Sequence, residues 1–238
     1  MKEIINTQRT QELCEYIVLN YLKKIGQNPN AIYCIDIVGL LKDYFGIKID
    51  YETFAEPDPG RDGFHGDGIH TLKVRRQGKV EDWLVPEKHI VVDKVLRNPR
   101  YSVMLRLVLA HEAGHLIYNK ISPETVKSPF YTDFANDGTK YSLEYMKSMW
   151  NFGETGATNF GCALLQPRFL LVDTLHRVMK ADVFNIYAEN QLLPKESMGL
   201  FEIANQMGVS ETMLLRALKE HKLVRQGTME EYCKLVNL

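Results

Sequence analysis

His111-Glu112-Ala113-Gly114-His115 lies inside an apolar run, Leu105 to Ile117, of helical character. Residues four apart share one face of an α-helix. A helix here places two imidazoles side by side, with Glu112 on the adjoining position. Two histidines at this spacing can bind one metal ion, and the glutamate then stands beside an open coordination position. The stretch therefore has to be a largely buried helix, which the rest of the chain must cover.

The chain has the length to do so. Its 238 residues, 45% hydrophobic and 25% charged, describe one or two globular domains with a buried core. Twenty-nine basic against thirty acidic residues leave a formal charge of −1, so no global basic field draws in nucleic acid. The four cysteines, Cys14, Cys34, Cys162 and Cys233, are scattered without a Cys-x-x-Cys pair, a pattern of reduced core thiols. The amino terminus leads into an amphipathic helix without a secretory apolar stretch, and no run is long enough to span a bilayer. A cytoplasmic protein with no membrane partner is expected.

Along the chain, leucines and aromatics at helical spacing predict a helix from about Thr7 to Ile25, and a second from about Ile35 to Phe45. Strands are expected at 47–51, 69–75, 83–85 and 89–92, with the Pro- and Gly-rich segment 56–63 as a loop. Asn98-Pro99 opens the motif helix. An irregular section follows from Asn119 to Gly153, with a helix near 142–150 and a new one over 153–165. The last third is expected to be helical throughout. The pattern is α+β: mostly helical, with a small mixed or antiparallel sheet. The expected division is 1–195 for the domain carrying the motif and 196–238 for a C-terminal helical segment packed on it.

Two histidines make half of a catalytic metal site, which takes three protein ligands and leaves one position for water. Glu154 is the best downstream candidate for the third. It precedes Ala157, Gly161 and Cys162, small residues on successive turns that would let its helix approach the motif helix closely. Zn²⁺ on His111, His115 and Glu154 would acidify a water and polarise a carbonyl, and Glu112, not a ligand, would be the general base. The residues alone lead as far as metal-assisted amide hydrolysis.

The two blocks resemble the ImmA/IrrE family of zinc metallopeptidases. Arg106-Leu107-Val108-Leu109-Ala110-His111-Glu112-Ala113-Gly114-His115 follows the family's Arg-Phe-Thr-Leu-Ala-His-Glu-Leu-Gly-His. Its second pattern, Glu-x-x-Ala-Asn-x-Phe-Ala-x-x-Leu-Leu-Met-Pro, falls without gaps on Glu154, Ala157, Thr158, Phe160, Gly161, Leu164, Leu165, Gln166 and Pro167. The order of elements agrees over about residues 10–225. Thr158 in place of Asn is the notable departure, since Asn could hold a ligand from behind and Thr has a shorter reach. Gly161 for Ala and Gln166 for Met also differ, and the stretch 116–153 is long for the family. The resemblance implies a zincin-like fold and a protein substrate, a helix-turn-helix repressor whose cleavage relieves silencing.

Other features carry less. Tyr118, at helical spacing from the histidines, and His176 are candidate transition-state donors, but packing and surface roles are the simpler readings. His65 and His70 sit in a Gly-rich stretch that reads as a solvated loop rather than a second metal site. Residues 200–219 have the form of a helix-turn-helix, yet the second helix offers only Arg216 and Lys219 as cations beside Glu211 and Glu220. That is poor for phosphate contacts, so protein docking is favoured over DNA. Two rival readings are a DNA-binding regulator with a structural or vestigial metal site and a toxin–antitoxin interaction module. Neither explains why both metal blocks are intact.

Overall fold

The computed structural model describes residues 7–55, 62–121 and 143–236, with the backbone alone at 118–121 and 143–152. Helix α1, Thr7–Lys24, is followed by Gly26 in the left-handed region at φ +69°. Asp36 caps α2, Ile37–Gly39, its carboxylate accepting from Gly39 N at 3.0 Å. The helix then widens into a π turn over Leu40–Tyr44. Five strands follow: β1 Lys48–Glu52, β2 Gly63–His65, β3 Thr71–Arg76, β4 Lys79–Leu84 and β5 His89–Asp93. Asn98 caps a short turn into the long helix α3, Ser102–Ile121. Beyond it come α4 Leu143–Leu165, α5 Arg168–Met179, β6 Phe184–Tyr187, α6 Pro194–Met207, α7 Glu211–Glu220, β7 Val224–Gly227 and α8 Met229–Val236. The chain is a mixed α+β protein.

Internal contacts group residues 1–12 and 36–162 as one unit, and 13–35 and 163–238 as another. In the first unit the sheet runs β1-β5-β2, with β5 parallel to β1 and antiparallel to β2. The small sheet is thus mixed. Ile90, Val91 and Val92 on β5 are wholly buried, the continuous apolar run of a strand covered on both faces. Alternation on β2 sends Phe64 into a core with Leu72, Val74, Val85 and Val91. Its neighbours Gly63 and His65 turn toward α3. Strands β3 and β4 form a hairpin whose two-residue loop, Gln77-Gly78, has φ of +49° and +78°. Those are the values of a turn that matches strand twist.

The second unit buries Cys14 and Val18 of α1 with Leu170, Leu175, Phe184 and Ile203. Gly208 ends α6 at φ +64°, and Ser210 Oγ accepts from Met213 N at 3.2 Å to start α7. The expectation of a wholly helical last third fails here. Strands β6 and β7 pair in parallel, Phe184 opposite Val224. The two helices expected around Gly153 are one, α4, because a single interior glycine weakens a helix by about 1 kcal/mol without ending it. None of the four cysteines forms a disulfide. Among the described residues no helix is long and apolar enough to cross a membrane.

Candidate metal centre

Helix α3 buries Leu109, Ala110 and Ala113 completely. His111 and His115 leave it on another face, half-buried, their rings edge to face with centroids 4.7 Å apart. Helix α4 crosses α3 on that side, and glycine makes the approach possible. A Cβ on Gly114 would lie 2.7 Å from the carbonyl oxygen of Ala157 and 2.9 Å from its Cα. A Cβ on Gly161 would lie 2.9 Å from His111 N. Backbone meets backbone at both points, so the small-residue face anticipated on α4 does bring Glu154 to the histidines.

Three side chains converge as a result. His111 Nε2 lies 3.1 Å from His115 Nε2 and 3.2 Å from Glu154 Oε2, and His115 Nε2 lies 3.4 Å from Glu154 Oε1. Donors about 2.1 Å from a tetrahedral metal are about 3.4 Å from one another, so these spacings fit one small divalent ion. Each of the three side chains thus presents a ligand atom to the same small space. The far nitrogen of His111, Nδ1, pairs with Thr158 Oγ1 at 3.2 Å. The reach of Thr158 is therefore sufficient, and the contact holds the ring so that Nε2 faces the other two side chains. His111, His115 and Glu154 together could hold a metal ion.

Glu112 lies beside this set, with a carboxylate oxygen near a ring nitrogen of His115. It is buried, and its Oε2 lies 3.0 Å from Nδ1 of His65 on β2. The ring of His65 stacks on His115, centroids 4.8 Å apart and planes at 21°. His65, Glu112 and His115 form a second group of ligand-bearing side chains sharing His115 with the first. The solvated-loop reading of His65 is overturned: the residue is 6% exposed and strand-paired with Ile90. A three-residue strand that opens on Gly63 and is followed by Gly66 gives no readable alternation, so no local signal marked it.

The electrostatics follow from these contacts. Burial raises the Glu154 carboxyl, but hydrogen bonds from His111 and His115 outweigh it and hold the group well below the usual carboxylate range. Burial likewise opposes ionisation of Glu112, and the hydrogen bond with His65 together with the charges of His65, His115 and His111 offsets it, leaving the pKa lowered. For His111 burial favours the neutral ring, yet Glu154 and Glu112 shift it upward overall. Two carboxylates thus stay charged beside three imidazoles.

The other sequence candidates stand apart from this cluster. The side chain of Tyr118 lies outside the described residues. His176 is an exposed residue of α5. His70 pairs with Asp67, whose carboxylate also accepts from the backbone of Ile69 and His70, a local turn closed on itself. Compared with family models and with curated proteins, the chain matches none.

Proposed function

We propose that the chain is a zinc-dependent endopeptidase of zincin-like fold and ImmA/IrrE type, which hydrolyses a peptide bond in a helix-turn-helix repressor. The observation that carries this reading is the convergence of His111, His115 and Glu154 at spacings of a tetrahedral site, with Glu112 one position from a ligand and not part of that set. Zinc bound there supplies a Lewis acid that polarises a carbonyl and brings a water's pKa to about 7. Glu112, ionised and buried, takes the proton of the attacking water and delivers it to the leaving amine. Thr158 keeps His111 oriented, and Glu154 balances the charge of the metal.

The choice of a protein partner over DNA is supported by α7. Arg216 is paired with Glu220 at 2.7 Å, and Lys219 Nζ is held by Asn190 Oδ1 at 2.6 Å. Both cations of that helix are engaged within the chain, which suits a protein-docking face better than a phosphate-binding one.

The test is incubation of the zinc-loaded chain with any helix-turn-helix repressor found encoded beside its gene. Cleavage into two fragments by the wild type is expected. Glu112→Gln should leave the repressor whole while retaining one equivalent of zinc. An intact repressor after incubation with the loaded wild type would overturn the reading, as would zinc loss in Glu112→Gln.

A further inference from the structure

Strand β2 meets α3 through the two residues of one face, and both are fitted to Glu112. A Cβ at Gly63 would stand 2.7 Å from Glu112 Oε1, 2.8 Å from its Cγ and 2.6 Å from Val108 Cγ1, so only glycine lets the strand come this close. Two residues on, His65 reaches the other oxygen, Oε2, at 3.0 Å. An ionised carboxylate only accepts hydrogen bonds, so Nδ1 of His65 must carry the hydrogen. The ring is buried and stacks on His115, and the backbone that carries it is paired with Ile90.

We propose that His65 is a positioning residue for Glu112: its Nδ1–H holds Oε2 of the carboxylate and leaves Oε1 to accept the proton of the attacking water. The proton-transfer role rests on the peptidase reading above; the hydrogen bond does not. A second ion on His65, Glu112 and His115 is the competing use of the same side chains. The geometry disfavours it, because His115 Nε2 already faces His111 and Glu154. An ion bound by Glu112 would also take the lone pairs that proton transfer needs.

Two measurements on the full-length, zinc-loaded protein decide the matter. Long-range ¹H–¹⁵N correlation of the histidine rings should show His65 as the Nδ1–H tautomer; an Nε2–H ring with bare Nδ1 overturns the proposal. In repressor cleavage, His65→Leu should lower kcat by about 10- to 100-fold at unchanged KM and with one zinc bound. His65→Asn, whose amide places a donor where Nδ1 stood, should recover most of that loss. Wild-type kcat in His65→Leu, equal loss in both variants, or a zinc content that is two in the wild type or falls in His65→Leu would each overturn it. Should the wild type cleave no repressor, the peptidase reading falls, while the tautomer still decides whether His65 holds Glu112.

Discussion

Thr158 Oγ1 lies 3.2 Å from His111 Nδ1 and ties α4 to the far side of a histidine on α3. The same helix that brings Glu154 to the site therefore also orients one of the other two ligand candidates. Ligand supply and ligand orientation are coupled through a single helix, so a disturbance of α4 should affect both.

Thr158→Val keeps the shape and removes the hydroxyl. The ring of His111 then loses the partner that orients it, and zinc affinity should fall by about 10- to 100-fold, the usual effect of losing such a contact. Thr158→Asn should keep affinity within a few fold of the wild type. Competition against a chromophoric chelator reads both, and an unchanged affinity in Thr158→Val would refute the orienting role.

Gly114→Ala sets a methyl group against the backbone of Ala157, where nothing flexible can yield. Gly161→Ala does the same against His111 N and the carbonyl of Ala110. Each should destabilise the protein by about 1–3 kcal/mol, as overpacking does. Both should also weaken zinc binding, since the helices must separate to admit the methyl. Urea unfolding with a parallel zinc titration tests this. Stability lost without loss of zinc affinity would show that helix spacing does not control the site.

How much was readable beforehand follows from where the information lay. The motif helix, Glu154 and the small residues opposite it are local patterns, and all were visible in order along the chain. Strand β2 was not, because the three residues Gly63-Phe64-His65 become a strand only by pairing with β5. His65 was lost with it. Strands β6 and β7 are four residues each and far apart in sequence, so neither carries its own signal. The π turn at Leu40–Tyr44 also depends on packing rather than on composition: Leu40 and Leu41 are wholly buried there. The three side chains that could hold a metal ion were legible, and the partner of the glutamate beside them was not.

His221 predicts an acid-sensitive second unit. Burial, then the nearby Arg168 guanidinium, lowers its pKa, with Glu220 and a hydrogen bond to the backbone of Gln166 opposing. Arg168 Nη1 donates to its carbonyl oxygen at 2.6 Å, which keeps the cation close. A histidine lowered on folding favours the neutral ring in the native state, so the unfolded chain binds the proton more readily. Its stabilising contribution is therefore complete above the ordinary imidazole pKa, about 6.5, and is lost as pH falls through the lowered native value. His221→Gln, neutral at every pH, should flatten the fall in stability between about pH 7 and 5. Denaturant midpoints across that range measure it, and parallel curves for the two proteins would exclude the effect.

Gln166 offers the clearest gain in stability. It is wholly buried, and among the described residues neither its Oε1 nor its Nε2 has a hydrogen-bond partner. A buried amide left unpaired costs about 1–3 kcal/mol, because it gives up water and receives nothing in return. Methionine, the residue of the resembled family pattern at this point, has the same unbranched length without the polar atoms. Gln166→Met should raise the unfolding free energy by about 1–3 kcal/mol and leave zinc affinity unchanged, since the residue lies beyond the ligand-bearing turns of α4. Urea unfolding at matched zinc occupancy reads the difference. A variant no more stable than the wild type would mean that the amide is satisfied in solution, with ordered water as its partner.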